Sequence, residues 1–495
     1  MRCALYIGAT GMKTLGEGLN VTANNLANIN TIGYKQQDAQ YSDLIYTAQA
    51  NMGDWWCAQE NSRVALGQTG KGVQLDTVRT IFQQGAFESS NTITDLAING
   101  KGFFLVRDGQ GRDFYTRAGD FRPDNQGVVR MPEGHALQAY SIDANGARGA
   151  LQDVQLNKFE TLAGSATTKV KLEYLNVSAQ GDNASSAADP YFSMLGVYDG
   201  RNGSPLPLSS YEYSKAMTLY DSGGNARTVT VYFDGAPSDS PGSAVEFLIA
   251  SPSGGAAEAG DGLLMSGVMR FSASGALTGL AAFTPTAAGS KDLSAWQSAS
   301  LSADGLPQLV LNGSSMAVDF GIKSGGGWSS SVKASDVGAD LSRLPEMVNA
   351  SIENSAVTAY ADQSIGGSYS QNGYGQGSLS RYDIQSDGTI VGYYSNGQSR
   401  DMWQIPLVSF TSEDGLRREG GNLFSYTKDA GQIYIGEAGT ANFGRIAAYN
   451  IEQSNVDMAS EMVDLIVTQR GFQSNSKVVT TSDEMLKKAI ELKRS

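Results

Sequence analysis

At each end of this chain, and nowhere between, large apolar residues recur every seventh position. Near the N-terminus the series is Leu5, Met12, Leu19 and Leu26, with Leu15 and Ile29 at the intervening seam position. Near the C-terminus it is Met458, Leu465, Phe472, Val479 and Leu486, joined by Met462 and Ile490. A seven-residue apolar repeat describes a helix whose stripe must be buried against another helix. The long stretch between is rich in glycine and in short strand-like runs. The reading is a mainly β protein whose two helical ends must pack against something.

At 495 residues the chain has room for two to four domains with real cores. A formal charge of −14 argues against nucleic acid or anionic lipid as a partner. No run of eighteen apolar residues occurs, so membrane insertion is not expected. The opening residues Met1 to Gly8 lack the apolar core of a cleavable signal peptide. On these facts alone the expected location is the cytoplasm. Cys3 and Cys57 cannot staple a chain of this length and read as free thiols. The one histidine, His135, lies in a Pro132–His135 turn and reads as solvated. That excludes a histidine metal cluster and leaves any histidine-based triad a single candidate.

Residues 4–29 read as an amphipathic helix closed by the asparagine-rich run Asn24–Asn30 and Gly33. From 34 to 72 there is no steady period, yet Tyr41, Leu44, Tyr46, Trp55 and Trp56 are too apolar for a solvated linker. That segment is expected to be an extended arm lying on other protein surface. Asp95–Ile98 and Phe103–Val106 flank Asn99-Gly100, and Asp108-Gly109 follows, both strong hairpin signals. A second hairpin is expected from Met217–Tyr220 and Thr228–Phe233 about a turn at Asp221–Asn225, with exposed loops at 236–244 and 251–262. Ser342–Glu353 is the best short helix candidate in the middle. Ser454–Asp457 caps a last helix, in which Thr481–Glu484 could form an internal capping box and a break near 480.

Two terminal helices paired only with each other would leave their outer faces in water. The ends are therefore expected to be disordered in the free chain and to fold on assembly, where neighbouring copies supply the missing surface. Catalytic chemistry is not expected. Gly67–Gly72 has the wrong spacing for a phosphate loop, and Asp143–Gly146 lacks the closing Glu of a calcium loop. Aspartates beside glycines read as turn formers, and no cofactor or metal is called for.

The stretches that carry identity are Gly11-Met12, then Asn24-Asn25-Leu26-Ala27-Asn28-Ile29-Asn30-Thr31-Ile32-Gly33-Tyr34-Lys35, and at the far end Ser454-Asn455-Val456-Asp457-Met458, Glu461-Met462 and Gln469 to Lys477 with Arg470-Gly471-Phe472. With Asp95–Phe104 and Tyr115–Phe121 between them, this order resembles bacterial flagellar rod and hook proteins. The large middle body, with Leu219–Asn225, Asp387–Ile390 and Tyr394–Gly397, is similar to the hook branch. The resemblance implies nested, discontinuous β domains whose terminal helices pair, coiled-coil-like, in the inner wall of a tube. It implies a self-assembling hook subunit, a short curved universal joint that passes torque from rod to filament. It further implies partners in copies of itself, the rod, the hook cap, the hook–filament junction proteins and the flagellar type III export apparatus. Export would need no signal cleavage, which would replace the cytoplasmic expectation with the extracellular hook.

The expected plan is a helical domain from 1–33 and 454–495, a linking arm 34–72, a middle β layer from 73–150 and 366–453, and an outer β layer 151–365. The outer layer leaves room for an inserted subdomain within roughly 236–335. The start, Ala4–Met12, is as close to distal-rod proteins, so a rod-type axial protein with an enlarged middle is the rival. A secreted hydrolytic or carbohydrate-binding β protein would need a carboxylate pair in a cleft and has no use for matched helical ends.

Overall fold

The computed structural model describes residues 2–45, 70–157, 159–178, 181–238, 241–251, 258–360 and 364–494. They fall into two compact units, one made of 1–160, 379–393 and 398–495, the other of 161–378 and 394–397. The fold is mainly β, with long helices at both ends. These are α1 (Arg2–Ala27), a short α2 (Ser193–Val197) and α3 (Met458–Arg494). α1 and α3 pack against each other.

In the first unit the strand Phe103–Arg107 pairs with Asp113–Thr116, Ala136–Ile142 and Pro406–Phe410. Its residues alternate between two cores. Phe104 and Val106 join Leu96, Ile98 and Leu137, while Phe103 and Leu105 join Tyr115, Val408 and Phe424. Burial on both faces is why Phe103–Val106 reads as an unbroken apolar run. Of the two hairpin signals here, Asp108-Gly109 marks a real hairpin. Asn99-Gly100 does not, because Leu96–Asn99 pairs with the distant Arg445–Ala448. Gly100 and Gly102, at φ +116 and +127, swing the chain into a new sheet instead of folding it back.

The segment expected as an arm is partly a ribbon. Gln37–Ile45 runs antiparallel to Gly70–Thr80, and the pair lies along α1. Thr14 Oγ1 donates to Val73 O (3.1 Å), tying ribbon to helix. Tyr46, Trp55, Trp56 and Cys57 lie outside the described residues.

The second unit is built on a six-stranded meander from Tyr213–Tyr220 to Trp296–Ser298. Its third strand, Ser243–Ala250, sends Val245, Phe247 and Ile249 into one core and Ala244, Leu248 and Ala250 into another. The first core is shared with a four-stranded sheet that includes Lys169–Glu173 and Ser314–Asp319. The second is covered by Tyr191, Phe192 and Leu195 and by Val337 and Leu344. The Asp221 hairpin forms as expected, Asp221 Oδ1 accepting from Gly223 N and Asn225 N while Gly224 takes φ +73. Asp108, Asp124 and Asp143 build the same turn.

Two helix expectations are corrected. Ser342–Glu353 is not an α-helix but a single 3₁₀ turn at Leu341–Arg343. Leu344 precedes Pro345, whose ring disfavours the helical region, and it is extended at ψ 136. The expected break near 480 is absent, since α3 runs unbroken through Thr481–Glu484. Ser482 is buried on the paired side of that helix rather than capping a new one. His135 is half-buried with its ring edge-on to Phe114 (5.3 Å between centroids), so it packs rather than facing water.

Candidate functional site

The helix pair is close because its contact is small. An added Cβ on Gly8 would stand 2.8 Å from Val479 Cγ2, and one on Gly11 2.8 Å from Asn475 Nδ2. Gly471 returns the favour by making room for Leu15. Along α3 the residues turned inward are Leu465, Val479 and Leu486, with a second series also seven apart: Glu461, Thr468, Asn475 and Ser482. That second series is polar, so a search for apolar repeats misses it. Its own spacing was the available signal.

The expected seam residues divide. Leu5, Met12, Leu15, Leu19, Leu26 and Ile29 on the N-terminal side are half-buried, as are Leu465, Val479 and Leu486. Met458, Met462, Phe472 and Ile490 are exposed. Met458 and Phe472 keep the heptad position of Leu465 and Val479 at the edge of the pair, whereas the outer side of α3 carries Val463, Ile466 and Val467, which sequence reading did not single out, and Val478, Met485 and Leu492 are exposed farther along. Val467 is 62 % exposed, and soluble helices seldom leave such a stripe to water. On the ribbon, Tyr41 is partly exposed with its hydroxyl over Gly18, and Leu44 is half-buried.

The asparagine-rich motif forms the junction below the pair. Asn25 is 1 % exposed and uses its whole amide. Its Nδ2 donates to Gln37 O (2.8 Å) and Glu461 Oε1 (3.0 Å), and its Oδ1 accepts from Gln37 N and Tyr34 Oη. One side chain thus ties α1, the ribbon and the first turn of α3. Gln36 Nε2 reaches the same Glu461 oxygen (2.6 Å), and Gln36 N donates to Asn455 Oδ1 (2.7 Å). Asn455 Nδ2 donates to Ile81 O and Gln83 O. Asn28 bonds back to Asn24 and accepts from Thr31, closing the end of α1, while Asn30 is exposed. Gly33 sits at φ +68 with Ala118 N 2.5 Å from where a Cβ would stand, so both conformation and space require glycine. Asp457 caps α3 through Ser460 N, and Ser454 and Val456 are buried beneath it. Arg470 is exposed.

Beside the junction lies an ionic cluster the sequence did not announce. Lys35 Nζ meets Glu452 Oε1 at 2.6 Å, both side chains fully buried, and also donates to Gln83 O. Gly85 N donates to the same carboxylate oxygen, and Arg117 Nη1 stands 3.6 Å from Oε2. Burial pulls both Lys35 and Arg117 below their ordinary pKa values, with Glu452 pulling the other way. Breaking such a cluster by removing its one carboxylate would leave two buried cations. Among the described residues no group of His, Cys, Asp and Glu could hold a metal ion. Nor is any described helix long and apolar enough to cross a membrane.

Four family profiles match along the chain. They are the flagella basal body rod protein at 5–35, the flagellar hook protein FlgE/F/G D1 domain at 97–182, the flagellar basal body protein FlaE D2 domain at 192–374 and the flagellar basal body rod FlgEFG protein C-terminal at 447–492. The flagellar hook protein FlgE of Borreliella burgdorferi is 29 % identical over 100 % of both chains. That of Escherichia coli K12 is 28 % identical over 98 % of each. A solved structure, the Helicobacter pylori flagellar hook protein FlgE2, aligns with TM-score 0.42 and 14 % identity over 74 % of this chain and 100 % of its own. The full-length relatives are hook proteins, which favours the hook over the distal-rod reading. With both helical ends, the asparagine junction and the β units each matched in order, the chain belongs to the flagellar hook protein family.

Proposed function

We propose that this structural hook subunit is held in its polymer by the outer side of α3, and that the β units form the outer layers of a tube that bends. The carrying observation is the exposed stripe Met462, Val463, Ile466 and Val467 on a helix whose opposite side is already occupied by α1. Burying that stripe against copies of the same chain gives a contact between unlike surfaces, which repeats into a helical polymer instead of closing. Small polar turns such as those at Asp124 and Asp143 suit an outer surface that slides. The role is structural rather than catalytic. The expected partners are copies of the chain, the rod, the hook cap, the junction proteins and the type III export apparatus. The corresponding location is the extracellular hook, reached without signal cleavage.

The test is assembly of Ile466→Asp/Val467→Asp beside the unchanged protein. The unchanged chain should form tubes by electron microscopy, while the variant stays monomeric with stability within about 0.5 kcal/mol, as expected for exposed positions. Tubes from the variant would remove α3's outer side from the mechanism.

A further inference from the structure

In the second unit the strands Ala226–Ala236 and Ser243–Ala250 set two acids directly opposite each other, Asp234 against Glu246. Both are fully buried. Like charges facing across strands repel, and in a dry core no water screens them. Each acid holds backbone of the segment 183–194, which covers this side of the sheet. At one end Asp234 accepts from Asn183 N (2.9 Å), Asn183 Nδ2 (2.8 Å) and Ala184 N (2.8 Å). At the other, Glu246 accepts from Ser193 N and Met194 N, both at 3.1 Å. Between the two fastenings Tyr191 and Phe192 enter the core, Phe192 edge-on to Phe283 (5.3 Å between centroids).

The charged groups around this pair do not neutralise it. Asp182 adds a third carboxylate. Arg270 on the next strand pairs with Glu346, and Arg343 on the other covering segment pairs with Asp340. Lys291 donates to Gly196 O and Tyr198 O. Burial raises the Glu246 carboxyl well above its ordinary 4.5; the N–H groups of Ser193 and Met194 pull it down, and the charge of Asp234 pushes it further up. Burial raises Asp234 above 3.8 as well.

We propose that the two acids form a proton-held clasp, in which the segment 183–194 stays closed while Glu246 carries its proton and lifts when that proton is lost. Two anions side by side in a dry core are costly, and Glu246 reaches water only if Tyr191–Leu195 moves off it. A carboxyl raised in the folded state adds stability that is whole in acid and drains away as pH climbs through the folded value. Opening uncovers Tyr191, Phe192 and Leu195, so alkali exposes apolar surface on this unit. The clasp does not depend on the hook reading.

Hydrogen exchange read by mass spectrometry tests it on the full chain, with rates corrected for the base catalysis of exchange itself. Between about pH 6 and about pH 9, peptides from 183–194 should lose protection roughly tenfold for each pH unit beyond the ionisation of Glu246, while the strand Leu263–Phe271 keeps its own. Glu246→Gln should abolish that slope. Asp234→Asn, which removes the opposing charge but keeps an acceptor for Ala184 N, should move its onset to higher pH; it decides the matter if Glu246→Gln does not fold. Lys291 holds the same short helix and is itself lowered by burial, so Lys291→Arg is the control and should leave the slope in place. The proposal is overturned if the corrected exchange of 183–194 is independent of pH, or if the slope survives Glu246→Gln. It is also overturned if Lys291→Arg removes the slope while Asp234→Asn leaves its onset where it was.

Discussion

The six-stranded sheet of the second unit and the α1–α3 pair dispose of their apolar residues in opposite ways. In the strand Ser243–Ala250 every residue after the first is buried, and both faces meet cores supplied by the same chain. In α3 the contact with α1 is made by Glu461, Asn475, Ser482 and a few aliphatics, while Val463, Ile466 and Val467 stand in solvent. The sheet is finished by its own sequence. The helix pair is joined through small and polar groups, and its strongest adhesive is turned outward. A region that spends its large side chains on the outside is one whose stability is completed by other molecules.

Substitutions can break or sharpen that contrast. The largest effect is expected at Phe247, fully buried and packed on Phe320 at 5.1 Å. Phe247→Ala should cost about 3–5 kcal/mol in denaturant unfolding. That loss should be the same at low and high protein concentration, and a concentration dependence would blur the distinction. Next come the glycines of α1. Gly8→Val must push Val479 and the backbone of Asn475 aside and should cost about 1–3 kcal/mol by thermal melting followed by circular dichroism. Gly16, with nothing within 4 Å of its missing Cβ, should instead gain up to about 1 kcal/mol as Gly16→Ala. Equal effects at the two positions would mean that the helices do not touch there.

The smallest effect belongs to the second unit's surface. Lys323 and Lys171 beside Glu353 hold its carboxyl down at about 2 against an ordinary 4.5. A carboxylate lowered in the folded state adds stability that is complete above its unfolded pKa and fades as the solution is acidified toward the folded value. Half-exposed pairs of this kind are worth about 1 kcal/mol or less. The melting temperature should therefore slip slightly between pH 4.5 and 2, and Glu353→Gln should flatten that slope. An unchanged slope would show the pairs to be silent.

What could be read from the residues followed from how locally each feature is determined. The terminal helices, the Asp221 hairpin and the run Phe103–Val106 carry their period or turn chemistry in adjacent residues, and the fold keeps them. Asn99-Gly100 misled because its strand finds a partner more than three hundred positions away at Arg445–Ala448. Ser342–Glu353 forms no helix because Pro345 holds Leu344 extended, a backbone demand that outweighs the segment's helix signal. In the candidate site the capping role of Asp457 is readable from Ser454–Asp457, whereas Asn25, Gly33 and Asn455 are identified by likeness and their roles are not. Those roles depend on which atoms meet, as Asn25 meets Glu461. Lys35, Arg117 and Glu452 left no local trace, because charged residues are common and only folding buries these three together.

The bond from Asn25 to Glu461 spans 436 positions of sequence, and the two helices it joins are the first and last elements of the chain. Contacts of such span close late. A polypeptide cut short before Gly471 would keep the ribbon and Glu461 beside α1 but lose Asn475, Val479, Ser482 and Leu486, leaving half of that helix without its partner. The architecture thereby checks for completeness: only a molecule delivered whole acquires the shape that its neighbours accept.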